Sequence, residues 1–441
     1  MTTLPQLCHI LQRILTTVAD EAARTSGFVQ RHSKLTGAKF VQTLVFTWLA
    51  APDATYEQLA QTATALDVPI TAQGLDQRFT LEAAACVRQV LQAAAQELVT
   101  SDPVMLPLLQ RFNGVYLQDS TTLTLPDELA DLWAGCGGSR TAGTQAALKV
   151  QVQVNYSTGQ VTHLDLQAGR TQDKTAPMQH APLPVGALRL ADLGYFSVAG
   201  CMEYEQAGVW TVSRYHPQVL VFTEADEPLD LVALLRTTPD AQVDLPVHLS
   251  REYAWPCRLV ALRMPPEVAA ERRRKANAAA HREGLTLSAR QLALLDWTII
   301  VTNVSAAVLS VSELRLVLRL RWQIELVFKL WKSHGRVDES RSQKPYRILC
   351  EVYAKLLGQL IQQWIHLTCG WQYANRSLVK AGQTIRQHAL ALGEALASDA
   401  QMCQILEKVA QCLAKGARVN TRRQAPTLYQ LLMADAEHPL A

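Results

Sequence analysis

The sequence has little of what marks secreted, membrane-spanning or zinc-binding chains. Its nine cysteines are scattered over 441 residues and form no CxxC pair, which argues against a zinc module and a disulfide framework. No uncharged apolar run reaches the roughly 18 residues that a membrane-spanning helix needs. Residues 1–5 begin no basic-then-apolar secretory signal. We therefore expect a cytoplasmic protein in a reducing environment.

The net charge is small, but the charged residues are unevenly distributed along the chain. The formal net charge is only +3, which by itself does not indicate a nucleic-acid partner. Hydrophobic residues make up 49% of the chain, and its length allows about two to four globular domains. Residues 313–347, however, hold nine Lys or Arg and only four acids. This local surplus suits a polyanion such as DNA.

Residues 314–332 predict a long amphipathic helix within this basic segment. Four apolar residues recur at helical spacing and predict a stripe that faces a core: Leu320, Ile324, Val327 and Trp331. At about 100° per residue, Arg321, Glu325 and Lys332 project within roughly 40° of one another on another face. The ordinary interpretation is a solvated salt-bridge face. The cationic flanks favour a functional one.

Two further acids follow predicted strands. Asp119 ends the strand predicted within residues 114–122, and Asp192 ends the one within residues 188–196. Alone, each Asp is more simply explained as a turn or cap residue. Together with Glu325 they make three carboxylates, which are natural ligands for a pair of Mg²⁺ ions in phosphodiester chemistry.

The remaining chain divides into helical ends and a strand-rich middle. Residues 1 to about 108 predict helices, and residues 55–79 have the order of a helix-turn-helix that ends at Arg78. An ordinary helical bundle explains the same residues. Strands are predicted at residues 148–156 and 160–166, which form a hairpin, and at residues 209–214.

An interruption is predicted between Asp192 and Glu325. Residues 218–292 hold β-like pieces and a basic helix at 268–282, which either contacts DNA or is a solvated face. A strand at 295–302 then leads back to the helix of Glu325. After residue 347 the chain again predicts helices.

Three motifs, in this order, are much more specific than any one acid: Gln118-Asp119-Ser120-Thr121, Ala191-Asp192-Leu193-Gly194-Tyr195-Phe196 and Arg321-x3-Glu325-x6-Lys332. The third resembles the arginine–glutamate–lysine part of the YREK signature of bacterial insertion-sequence transposases, DDE enzymes of the insertion-sequence-4 group. The resemblance covers about residues 110–350, with a looser match at the N-terminus. The family pattern begins with a Tyr where this chain has Leu318, so one DNA-phosphate contact of the family is missing.

The resemblance implies an α+β multidomain fold. Its centre is a ribonuclease-H-like α/β core that is interrupted by a β-rich insertion and flanked by all-helical N- and C-terminal regions. The implied parts are a helical end-recognition domain (1–108), a first core segment (109–217), the insertion with its basic helix (218–292), a second core segment with the catalytic Glu helix (293–347) and a helical C-terminal region (348–441).

The same resemblance implies the chemistry and the partners. Asp119, Asp192 and Glu325 are the expected catalytic residues and ligands of two Mg²⁺ ions, which Mn²⁺ could replace. The expected DNA-binding residues are Arg78, Arg214, Trp297, Arg321 and Lys332; Trp297 would stack on a flipped base, or is instead a buried core residue. The substrates are double-stranded DNA at transposon ends and at the target, bound by a homodimer, with no membrane involved. The setting is the bacterial cytoplasm and its nucleoid.

We therefore predict a cut-and-paste DNA transposase. An alternative enzyme is a metal-dependent nuclease that has the same core but does not transpose. A different class is a non-catalytic relative that only binds DNA. The three intact acids count against that class, and Leu318 counts weakly for it. Short inverted repeats in the DNA beside the coding region would favour the transposase.

Overall fold

The computed structural model of the chain describes residues 1–31, 33–103, 106–136, 145–282, 284–373, 375–420, 428 and 430–432. The α-helices in these residues are α1 (Leu4–Arg13), α2 (Ala19–Thr25), α3 (Gly37–Ala50), α4 (Tyr56–Ala65), α5 (Ala72–Asp76), α6 (Leu81–Ala95), α7 (Val198–Gln206), α8 (Leu231–Thr237), α9 (Pro266–Arg282), α10 (Ala289–Leu294), α11 (Val311–Leu320), α12 (Trp322–Lys329), α13 (Pro345–Gly370), α14 (Leu378–Gln387), α15 (Ala389–Glu394) and α16 (Asp399–Lys415). The strands are β1 (Val115–Leu125), β2 (Ala146–Asn155), β3 (Gln160–Ala168), β4 (Leu188–Ala191), β5 (Trp210–Arg214), β6 (Val221–Phe222), β7 (Gln242–Leu249), β8 (Trp255–Arg263) and β9 (Trp297–Thr302).

The N-terminal region is helical, as predicted, and its helix starts are capped by threonines. Thr55 and Gln58 form a capping box at the start of α4, which satisfies two backbone N–H groups of the first turn. The Thr80 side chain caps α6 by accepting a hydrogen bond from the backbone N–H of Ala83. The helix after the predicted turn, α5, is only five residues long. Arg78 is exposed just beyond its end.

The strands form one mixed sheet in the order β3-β2-β1-β4-β5-β9-β8-β7-β6. β1, β4 and β5 are parallel neighbours, whereas β2 and β3 form the predicted antiparallel hairpin. Gly159 adopts a φ of +71° in the hairpin turn, a conformation that strongly favours glycine. The prediction of an α+β chain with helical ends is therefore confirmed.

The first acidic motif lies within a strand and not at its end. The sequence predicts a short strand that stops at Asp119, but β1 continues to Leu125. Its second half, from Ser120 to Leu125, is rich in threonine and leucine, residues that fit an extended and half-buried backbone. The pairing with β4 ends at Gln118, so Asp119 is the first residue beyond that ladder.

The helix predicted over residues 314–332 is interrupted. α11 ends at Leu320, and α12 begins at Trp322, although Arg321 between them keeps a helical backbone (φ −50°, ψ −37°). A wider π-helical turn, Leu330–His334, then carries Lys332. Gly335 follows this turn, and a Cβ there would lie 2.6 Å from the carbonyl oxygen of Trp331. Of the four predicted stripe residues, Leu320, Ile324 and Trp331 are buried, and Val327 is half-buried.

The strands of the interrupting segment extend the sheet from its edge. β5 pairs directly with β9, and β8, β7 and β6 follow on the other side of β9. An apolar core that includes Trp255, Leu259 and Val301 stabilises this part. The domain boundaries given above stay a prediction.

The C-terminal region is dominated by α13. This helix is buried along nearly its whole length, including Arg347, Glu351 and Lys355. The chain after α13 remains helical, as predicted, and His388 separates α14 from α15. In the described part of the chain, no helix is both long and apolar enough to cross a bilayer.

Contacts divide the chain into two compact units. The first comprises residues 1–106, 119–171 and 323–430, and so combines the helical ends with β2, β3 and the second half of β1. The second comprises residues 107–118, 172–322 and 431–441, and holds β4 to β9.

Candidate active site

The two aspartates follow paired positions of neighbouring strands. β4 is buried at all four positions, and residues 115–118 of β1 are buried as well. The parallel ladder ends with Gln118 opposite Ala191. The next residue along each strand is a predicted ligand, Asp119 on β1 and Asp192 after β4. The residues that directly precede the two acids are therefore register partners in adjacent strands.

Asp119 is half-buried, and its carboxylate is hydrogen-bonded locally. Its Oδ1 accepts a hydrogen bond from the backbone N–H of Ser120 at 2.8 Å. A bond of this kind restricts the side-chain torsion, because donor and acceptor are one residue apart.

Asp192 follows β4 and is paired with an arginine. It begins the 3-10 turn Leu193–Tyr195, and its side chain is 47% exposed. Arg321 Nη1 lies 3.2 Å from Asp192 Oδ1, and the Arg321 side chain is only 13% exposed. Arg321 was predicted to bind DNA phosphates; in the structure its guanidinium contacts a predicted metal ligand.

A further acid that sequence patterns missed lies against the Asp192 turn. A Cβ placed on Gly194 would lie 2.9 Å from Oδ2 of Asp173 and 3.5 Å from its Cβ. Gly194 thus allows the close approach of a second carboxylate two residues after Asp192. The glycine in the Asp192-Leu193-Gly194 motif signals a close approach, but the sequence does not identify the partner.

Glu325 and Lys332 lie about two turns apart on one helical segment. Glu325 is half-buried in the first turn of α12. Lys332 Nζ donates a hydrogen bond to the carbonyl oxygen of Thr122 at 3.0 Å. The lysine therefore ties the π-helical turn to β1, three residues after Asp119.

The predicted ligands are divided between the two units. Asp119 and Glu325 belong to the first unit, and Asp192 belongs to the second. Within the residues that the structure describes, no three His, Cys, Asp or Glu side chains are gathered closely enough to hold a metal ion. The convergence of the three acids on one metal site stays a prediction.

Arg214 and a second arginine form a cationic surface beside β9. Arg214 is exposed at the end of β5, where it pairs with Ile300. Burial lowers the pKa of Arg272 in α9, and the nearby charge of Arg214 lowers that pKa further. The exposed Arg214 thus lies near a second, partly buried cation.

Trp297 is buried, yet it lines a cavity. Its side chain is 7% exposed, and the guanidinium of Arg263 lies 4.7 Å from the centre of its ring. The adjoining cavity has a volume of about 460 Å³, and Arg236 and Arg273 also line it. The core explanation of Trp297 thus fits its burial, whereas the base-stacking explanation fits the cavity and its cations.

Comparisons with known proteins give the family of the chain. Residues 110–360 match the family model described as "Transposase DDE domain". The chain is 24% identical over 449 residues to the transposase for insertion sequence element IS231B of Bacillus thuringiensis subsp. berliner, covering 94% of this chain and 91% of that relative. It is 23% identical over 373 residues to the transposase for insertion sequence element IS1151 of Clostridium perfringens, covering 79% and 78%.

Proposed function

This chain belongs to the DDE transposases of bacterial insertion sequences, and from that premise we propose that it cuts DNA at the ends of a mobile element and joins them to a target. The observation that carries the proposal is the β1–β4 register, in which Asp119 and Asp192 each follow a paired position. The order β3-β2-β1-β4-β5, an antiparallel hairpin beside parallel strands, supports a ribonuclease-H-like core.

The donor chemistry of the acids fits Mg²⁺. Carboxylate oxygens are the hard ligands that this ion prefers, and Asp192 already accepts a cationic partner, the Arg321 guanidinium. Asp119, Asp192 and Glu325 would hold two such ions. When bound, the ions neutralise charge on the attacking and leaving oxygens of a phosphodiester.

The cationic residues have separate parts in this proposal. Arg321 exchanges its Asp192 contact for a phosphate oxygen, because its planar guanidinium fits both anions. Lys332 offers an ammonium group beside β1, where its Nζ already binds the Thr122 carbonyl. Arg214 binds the backbone of the transposon end. Trp297 stacks on an unpaired base in the adjoining cavity, and Arg78 contacts the recognised end.

The test is a cleavage assay on the full-length protein. The substrate is a linear fragment with the inverted repeat from the DNA beside the coding region, incubated with Mg²⁺ or with EDTA. We expect breaks at the repeat boundary with Mg²⁺ alone. Asp119→Ala should abolish them and leave fragment binding within about twofold, because metal charge is lost and not the fold. The matched control is Asp131→Ala at an exposed acid of the same unit, which should cleave normally.

The alternatives give different results in the same assay. Equal cleavage of unrelated DNA, without joining to a target, would favour a metal-dependent nuclease. Binding without cleavage by the unaltered protein would favour a non-catalytic relative. The proposed homodimer predicts that one complex holds two end fragments.

A further inference from the structure

A buried polar network joins Gln118, the last residue of β1 that pairs with β4, to Arg189 of β4. Arg189 of β4 is 3% exposed, and Gln118 of β1 is fully buried. Arg189 Nε donates to Oε1 of Gln118 at 2.6 Å, and its Nη2 donates to Oε1 of Gln179 at 2.7 Å. The guanidinium also lies 4.7 Å from the ring centre of Tyr204. Because arginine stays protonated in proteins, this network buries a full positive charge.

Simple packing does not account for this cation. In the described residues no carboxylate forms an ion pair with Arg189, and both acceptors of its hydrogen bonds are neutral amides. A buried charge without a counter-ion is unfavourable, and an apolar side chain of similar volume would fill the same space at lower cost. The network therefore calls for a role besides stability.

The network connects several elements through one side chain. Gln118 Nε2 donates to the carbonyl oxygen of Met178 at 3.2 Å. The Tyr204 hydroxyl of α7 donates to the carbonyl oxygens of Gln179 at 3.0 Å and Ala181 at 3.1 Å. Arg189 thus joins β1, β4, α7 and the 3-10 turn Pro177–His180.

The position of this network gives its role. Gln118 immediately precedes Asp119, and its register partner Ala191 immediately precedes Asp192. We propose that Arg189 is a positioning residue for the carboxylate site: through Gln118 and Gln179 it fixes the stagger of β1 against β4. It thereby holds the two strand positions from which the aspartates follow. This inference rests on the proposed function to the extent that those aspartates are metal ligands; Arg189 itself acts through Gln118.

The variants separate positioning from general stability. Arg189→Met removes the forked donor at similar length, and Arg189→Lys keeps the charge without the fork. Gln179→Glu keeps the acceptor, and it loses no hydrogen bond because Gln179 Nε2 has no partner among the described residues. The matched control is Arg258→Met in β8. Arg258 binds Asp244 at 2.7 and 2.6 Å and the carbonyl oxygen of Leu309 at 2.6 Å.

Three quantities are measured on the full-length protein: Mn²⁺ affinity without DNA by calorimetry, the melting temperature, and kcat and KM for end cleavage. Arg189→Met should lower Mn²⁺ affinity about 10- to 100-fold, the usual effect of losing a residue that orients metal ligands. It should lower kcat similarly and leave KM within about twofold, because DNA contacts are untouched. Gln179→Glu should match the unaltered protein in Mn²⁺ affinity and kcat, and the counter-ion that it gives Arg189 should maintain or raise the melting temperature. Arg258→Met should lower only the melting temperature.

Two results would overturn the proposal: unchanged Mn²⁺ affinity and kcat in Arg189→Met, or an equal loss of both in Arg258→Met. If Arg189→Met does not fold, Gln179→Leu against Gln179→Glu decides. Weaker Mn²⁺ binding in the leucine variant alone supports the role, and equal binding refutes it. If the unaltered protein binds Mn²⁺ more tightly than Arg189→Met but cleaves no end fragment, the proposed function is overturned, and the positioning role of Arg189 is still supported. Unaltered protein with no Mn²⁺ affinity would overturn both.

Discussion

Two helical segments of this chain carry runs of cations, and the partners of those cations differ. In α9, Arg272 donates to the Trp297 carbonyl oxygen at 3.2 Å and to Thr298 Oγ1 at 3.0 Å. Arg273 is ion-paired with Asp296. The next two cations, Arg274 and Lys275, both pair with Glu271 on the same helix. The first two of these cations thus bind residues 296–298, at the start of β9. The other two bind an acid one turn earlier in α9.

In the segment from α11 to the π-helical turn, the cations bind elsewhere. Arg321 contacts Asp192, and Lys332 donates to the Thr122 carbonyl of β1. Both partners belong to the strand segments that carry the predicted aspartates. A run of Arg and Lys in a sequence therefore reveals where charge is, but only the fold reveals what that charge does.

The largest expected effect concerns the acids of these two segments. Glu325→Gln should lower end cleavage at least about a thousandfold, because a metal ligand loses its charge. Glu271→Gln in α9 is the matched control and should leave cleavage within about twofold. Glu271 is half-buried, and its hydrogen bond with Arg274 lowers its pKa to about 2, so it is ionised at neutral pH.

The readout is the initial rate of end cleavage in Mg²⁺, with fragment binding measured in parallel. If Glu325→Gln and Glu271→Gln lose end cleavage to a similar extent, the acids of the two segments do not differ in function. Normal cleavage by Glu325→Gln would refute the assignment of Glu325 as a ligand.

The second expected effect concerns the cations themselves. Arg321→Ala and Lys332→Ala should each lower cleavage about 10- to 100-fold, since a hydrogen bond to a charged group contributes about 1.5–3 kcal/mol. Arg274→Ala and Lys275→Ala should change it by less than about twofold, because both side chains are paired with Glu271 at an exposed site.

The dependence of DNA affinity on salt tests this contrast directly. Each lost phosphate contact lowers the slope of log affinity against log salt by about 0.9. We expect that decrease for Arg321→Ala and Lys332→Ala and no change for the α9 variants. A decrease for Arg274→Ala would show that α9 also binds DNA.

A smaller effect is expected for stability. Arg272→Met removes two hydrogen bonds to β9, which should lower the free energy of unfolding by about 1–2 kcal/mol. Relief of the repulsion from Arg214 offsets part of that loss. Denaturant unfolding measures the change, and cleavage per folded molecule should stay the same. A large loss of cleavage at full stability would instead place Arg272 on the DNA.

The sequence was sufficient for the α+β class and for many of the individual helices and strands, whereas the roles of the three acids stay predictions. Strand and helix periodicity predicted β4, β5, β9 and the flanking helices, because these are long or strongly patterned. The end of β1 was predicted wrongly, since strand ends depend on pairing partners that are distant in the chain.

The contacts within the site depended on the fold. The partner of Arg321 comes from a strand more than a hundred residues earlier, and the buried Arg189 has no periodic signal at all. The approach of Asp173 to Gly194 is likewise a long-range contact. Residue types predict which groups can act, whereas tertiary contacts determine which groups meet.

The smallest expected effect concerns Leu318, where this chain lacks the tyrosine of the family. Leu318 lies in α11 one turn before Arg321, about 60° from it around the helix. It is half-buried, whereas its neighbour Val317 is fully buried. Leu318→Tyr should therefore be accommodated and leave cleavage intact or raise it severalfold, because a hydroxyl adds a phosphate hydrogen bond of about 0.5–1.5 kcal/mol.

Val317→Tyr provides the matched control for this substitution. Overfilling a packed site costs about 1–3 kcal/mol, so this variant should melt at a lower temperature. If Leu318→Tyr keeps the melting temperature and binds end DNA at least as well as the unaltered protein, the position belongs to the phosphate-facing side of α11. If Leu318→Tyr instead melts as early as Val317→Tyr and loses cleavage, Leu318 has a packing role. The missing tyrosine then reflects a core that has no room for it, and Arg321 and Lys332 alone would bind the phosphates on this segment.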